Sequence, residues 1–115
     1  MRCPYLNPGP YTGGGPLVQG MRVALAAEVE RTHEELVERI LHAGLAYADA
    51  VDRETSLVVC NEHRPARGNG RLAHELGVPL VSDAKFLDHV SAVANGTGVD
   101  DIVDEAHAGE QFALF

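Results

Sequence analysis

Residues 75–86, reading Glu-Leu-Gly-Val-Pro-Leu-Val-Ser-Asp-Ala-Lys-Phe, constrain this fold more than any other stretch. Gly77 stands where a helix leaves through a left-handed C-cap. Residues 78–81 form a short apolar run bounded by turn chemistry, and Pro79 fits only near a strand start or edge. Ser82 offers a side-chain oxygen to the free amides of a following helix. A helix feeding a short apolar strand and then a second helix is the mark of an α/β domain.

The same reading extends to both sides. Residues 1–20 contain Pro4, Pro8, Pro10, Pro16 and three consecutive glycines, with no periodic apolar pattern, and are expected to form a linker. The domain is expected over residues 21–93. Residues 22–27 suit a first strand. Thr32 and Glu35 have capping-box spacing, and Leu36, Val37, Ile40 and Leu41 then share one helical face up to Gly44. A weak strand surrounds Tyr47. Residues 57–60 are apolar without alternation, as in a strand covered on both faces. Residues 61–70 form a polar loop, residues 71–76 a short helix, and residues 83–93 a closing helix with Phe86, Leu87, Val90 and Val93 inward. The order is βαββαβα. Local pattern alone would join the strands at Tyr47 and Leu57 as a hairpin across Asp52, Arg53 and Glu54, giving a mixed sheet.

With 115 residues and 45% hydrophobic content, one core is available, packed by Val, Leu, Ile and Ala because aromatics are few and Trp is absent. The net charge of −8 argues against broad non-specific nucleic-acid binding. That charge is uneven: residues 94–115 hold five acids and no Lys or Arg, and read as a flexible acidic tail. Cys3 and Cys60 lie in unlike contexts, so a disulfide is not expected and a cytoplasmic setting is. No apolar run approaches spanning length, so no membrane partner is expected.

Several residues spread over 21–93 carry a family resemblance. Ile40 and Gly44 close the first helix; Val51 and Thr55 precede Leu57, Val58 and Val59. The stretch from Glu75 to Pro79 and then Ser82, Phe86 and Leu87 complete the set. This segment resembles a BRCT domain, especially those of bacterial DNA ligases. The resemblance implies a four-stranded parallel sheet of order 2-1-3-4 flanked by three helices, two on one face and one on the other, and so overrules the hairpin. With the Pro/Gly connector and the run from Pro16 to Met21, the whole is similar to the C-terminal part of actinobacterial DEDDh-type 3′–5′ exonucleases, relatives of the epsilon subunit of DNA polymerase III. The nuclease's carboxylates have no counterpart here, so the resemblance implies an interaction module of replication or repair, associated with the nucleoid, and no enzymatic activity in this chain.

Many BRCT domains bind phosphate through a Ser or Thr after the first strand and a Lys opening the second helix. The corresponding positions here are Leu25-Ala26 and Asn69, which supply neither a hydroxyl nor a charge. Arg64, Arg67, Asn69 and Arg71, beside a helix start, remain candidates for phosphate contact at DNA ends or nicks. A solvated loop is the plainer alternative.

The chain ends Gln111-Phe112-Ala113-Leu114-Phe115. This resembles the bacterial sliding-clamp-binding motif, in which Leu114 and Phe115 would enter an apolar pocket and Gln111 would hydrogen-bond at its rim. The alternatives are that these apolar residues fold back on the domain, or serve as a protease tag. Cys60 and His63 are three apart, but without further ligands at suitable spacing Cys60 is expected to pack in the core. No motif implies a cofactor or a metal.

Overall fold

The computed structural model describes residues 4–13 and 15–98. Its elements are β1 (Arg22–Leu25), α1 (His33–His42), β2 (Ala46–Ala48), β3 (Leu57–Val59), α2 (Gly68–Leu76), β4 (Leu80–Val81) and α3 (Asp83–Val90). The strands form one parallel sheet of order β2-β1-β3-β4. The hairpin suggested by local pattern does not form. β1 lies between β2 and β3, with Val23 opposite both Tyr47 and Leu57. Leu57, Val58 and Val59 are fully buried, which a central position provides and a hairpin edge would not.

Residues 49–56 return from the end of β2 to the start of β3. Asp52 organises that return: its Oδ1 accepts from the Glu54 N–H at 2.8 Å, and its own N–H donates to Thr55 Oγ1 at 3.0 Å. Such local side-chain bonds stabilise a turn. Ser56 then joins β1, donating its N–H to the Arg22 carbonyl at 2.8 Å.

Period-two alternation splits the core into two layers. Val23, Leu25, Leu57 and Val59 face α1 and α3, meeting Leu36, Ile40, Phe86 and Val90. Ala24 and Val58 face the other way, toward Ala73 of α2, with Ala26, Val51, Cys60 and Val78. The second layer is built from small residues, so α2 sits close. A Cβ on Gly70 would lie 2.8 Å from both Cβ and Cγ of Pro65 and 3.2 Å from Cys60 Sγ.

The helix ends follow the local signals. Thr32 Oγ1 accepts from the Glu35 N–H at 3.1 Å, while the Glu35 carboxylate pairs with Arg31 at 3.3 Å. α2 ends at Gly77 with φ 75°, and the Val78 N–H reaches the Ala73 carbonyl at 2.8 Å. Pro79 precedes β4, where it needs no N–H, and its carbonyl accepts from Val58 at 2.9 Å. Ser82 Oγ caps α3 through the Lys85 N–H at 3.2 Å.

The expected linker is a correction. Within the described residues the N-terminal arm is built into the domain: Tyr11 and Leu17 are 3% and 1% exposed and belong to the α1/α3 layer. The Tyr11 N–H donates to the Ser56 carbonyl at 3.0 Å, and Asn7 Nδ2 to the Glu54 carbonyl at 2.7 Å. The other boundary moves too. Val18 pairs with Ala94 and Tyr5 with Gly98, with bonds from Ala94 N–H to Leu17 (2.7 Å) and Leu6 N–H to Thr97 (2.9 Å). Two apolar anchors and a set of backbone hydrogen bonds to residues 44, 56, 94 and 97 seat this extended, proline-bearing chain. Gly20 is needed at this junction: φ is 97°, and any Cβ would run into the Leu6 carbonyl.

Candidate interaction surface

The loop after β3 and the first turns of α2 carry the basic side chains singled out in the sequence. Arg64 and Arg71 line one groove of about 300 Å³ with Pro65 and His74. The position of His74 is new: it lies three residues after Arg71, the spacing that aligns side chains on one helical face. Arg71 donates from Nε to Glu75 Oε2 at 2.9 Å, an exposed pair one turn apart. Arg67 is the N-cap residue of α2 and contributes no side-chain cap bond.

Asn69 stands apart from the arginines. Its Nδ2 donates to the Leu25 carbonyl at 2.9 Å and to the Asp49 carbonyl at 3.1 Å. Both amide hydrogens therefore hold α2 against the ends of β1 and β2. The neighbouring backbone is closed as well: His33 Nε2 lies 2.8 Å from the Ala26 carbonyl, and because a carbonyl only accepts, Nε2 carries the proton. Leu25 and Ala26 are themselves buried. The basic side chains that line the groove are Arg64, Arg71 and His74, while Arg67 is exposed beside it.

The segment between β1 and α1 is held by a buried carboxylate. Asp83, 5% exposed, accepts at Oδ2 from the N–H groups of Glu30 (2.7 Å) and Arg31 (3.0 Å). Its own N–H donates to Asn61 Oδ1 at 2.9 Å. Burial pushes the Asp83 carboxyl up, but the bonds from Arg31, Glu30, Asn61 and Ala84 outweigh it and leave the group below its ordinary 3.8. Asp83 reads in sequence as a first-turn helix residue, and only its contacts across the fold reveal the second task.

Cys60 is 3% exposed, with Sγ 3.6 Å from the Glu62 carbonyl and 3.9 Å from Glu28 Oε1. Burial raises its thiol pKa; the Glu62 backbone bond opposes this, while the charges of Glu28 and Glu62 reinforce it. A thiol held protonated in the core suits packing rather than nucleophilic chemistry. Among the described residues, no group of three or more His, Cys, Asp or Glu could hold a metal ion, and no helix is long and apolar enough to cross a membrane.

The outer face of α2 also exposes Leu72 and Leu76, 42% each and one turn apart. Gln111, Leu114 and Phe115, the clamp-binding candidates, lie outside the described residues.

Fold and surface together define an α/β domain with a four-stranded parallel sheet and a basic groove beside α2. Compared with protein-family models, curated proteins and solved structures, the chain has no significant match.

Proposed function

We propose that this chain is a BRCT-like interaction module of bacterial DNA replication or repair. In this reading it is the C-terminal region of a polymerase III epsilon-like 3′–5′ exonuclease, and Gln111, Leu114 and Phe115 bind the sliding clamp. The observation that supports it is the strand order β2-β1-β3-β4, all parallel, with α1 and α3 on one face and α2 on the other. The resemblance implies that arrangement, whereas local pattern favours a hairpin. The test is titration of labelled clamp with this protein and with a variant lacking residues 111–115. Binding in the micromolar range, about −8 kcal/mol, that disappears with the five residues supports the proposal. Equal binding by both forms, or by neither, rejects it.

A second reading is contact with DNA ends or nicks, favoured by Arg64 and Arg71 sharing one groove with His74. Binding to nicked duplex would then fall steeply with salt and weaken in Arg64→Ala and Arg71→Ala. Binding that ignored both changes would reject it.

A further inference from the structure

The outer face of α2 joins two features that one ligand would satisfy together. Leu72 and Leu76 form an exposed apolar ridge. Beside it, Arg64, Arg71 and His74 line the groove with Pro65. Residues 63–76 contain three of the nine basic side chains of the chain and one acid, Glu75, which Arg71 neutralises. A complementary ligand is an acidic peptide with large apolar side chains.

The chain carries such a peptide itself. Residues 99–115 contain Asp100, Asp101, Asp104, Glu105 and Glu110, no Lys or Arg, and end in Phe-Ala-Leu-Phe. Its departure point is well placed. In a parallel sheet every strand starts at the same edge. Gly98 pairs with Tyr5, and the adjoining Asn7 binds the Glu54 carbonyl just before β3, so the described chain ends beside that edge. α2 runs toward the same edge, its last residue Leu76 leading through Gly77 to β4. The fourteen residues from Gly98 to Phe112 reach about 45 Å when extended, against a radius of gyration of about 12 Å expected for a body of this size. The outer side of α1 exposes a single leucine, Leu41, beside a groove lined by Arg39 and His42, but Glu34, Glu35 and Glu38 on the same helix leave it net acidic and would repel the acidic segment.

We infer that residues 99–115 dock in cis on α2, with Phe112, Leu114 and Phe115 against Leu72 and Leu76 and the acidic residues along Arg64, Arg71 and His74. Tethering supplies a local concentration in the millimolar range, so a contact too weak to act between separate molecules is populated within one. For the clamp-binding motif the consequence is competition: the same apolar side chains are covered until a partner displaces α2. That consequence rests on the proposed clamp reading; the docking does not.

The experiment uses the full chain with Cys3→Ser and Ala113→Cys, carrying a nitroxide at residue 113, and reads paramagnetic broadening of backbone amides. The expected result is broadening centred on residues 70–77, weaker over α1, and lost in Leu72→Ser/Leu76→Ser. Adding salt reduces it, as opposed charges at this surface require. The result persists on dilution and is absent when spin-labelled chain is mixed with isotope-labelled chain lacking the nitroxide. Broadening elsewhere, none above background, or broadening indifferent to the leucine changes overturns the inference. Broadening that appears equally in the mixed sample overturns it in favour of a second copy. No clamp is present, so a negative result leaves clamp binding standing. If both hold, Leu72→Ser/Leu76→Ser tightens clamp binding by about two- to threefold, as release of a partly occluded motif does.

Discussion

The side-chain amide of Asn69 donates to the carbonyl of Leu25 at 2.9 Å, across 44 residues of sequence, and so ties the first turn of α2 to the end of β1. Together with the bond to Asp49 it acts as a brace between helix and sheet. Asn69→Ala leaves two carbonyls without this donor and is expected to cost about 1–2 kcal/mol. Asn69→Asp, which sets a carboxylate against two carbonyl oxygens, costs more. Equilibrium denaturation of both variants checks the order; a neutral Asn69→Ala would remove the brace.

Asp83 makes stability depend on acid. Its folded pKa lies below its ordinary 3.8, so its contribution is complete above that value and is lost as pH falls through the lower folded value. Asp83→Asn is therefore expected to flatten the stability profile below about pH 4. It should lower stability most at neutral pH, by about 2 kcal/mol for bonds to a charged acceptor. Urea midpoints measured from pH 3 to 7 give the answer, and parallel profiles for both proteins would contradict it.

Gly70→Ala separates helix propensity from packing. On an exposed helix the change stabilises by about 1 kcal/mol. Here the new methyl meets the Pro65 ring, which has little freedom to retreat, and the result is a loss of about 1–2 kcal/mol. A raised melting temperature would show that the groove wall yields.

Leu17→Ala tests the N-terminal arm. A linker residue could be truncated at no cost, whereas a side chain 1% exposed in the core loses about 3 kcal/mol. For a domain of this size that lowers Tm by roughly 15 °C. A shift within error would mean that the arm adds no stability.

Cys60, in a Cys3→Ser background, is expected to react with a thiol reagent at pH 8 only as fast as the protein opens. Burial and the neighbouring Glu28 and Glu62 both oppose the thiolate. Reaction in the native state at the rate of a denatured control would overturn this.

What the sequence discloses here is what neighbours in sequence decide. Thr32, Gly77 and Ser82 cap helices through residues within a few positions, so their roles are visible in a linear string. The strand order was not visible from local pattern, because Asp52, Arg53 and Glu54 suit a turn of either sense. Only the long-range pairing of residues 57–59 with β1 decides it. The arm is hidden for a related reason: Tyr11 and Leu17 follow no period, and proline and glycine mask them. The groove was half legible. Arg64 and Arg71 stood out as charges, but nothing local distinguishes Asn69 as a brace from Asn69 as a ligand contact, or brings His74 to their side.

The pairing of Tyr5 with Gly98 has a consequence for anything joined to this domain. The incoming and outgoing strands of chain pass within about 5 Å of each other, as residues in an antiparallel bridge do. The domain therefore adds almost no length to a tether that runs through it. It behaves as a knot in a cord rather than as a bead strung between two poles, and whatever is fastened on either side is held at a single corner.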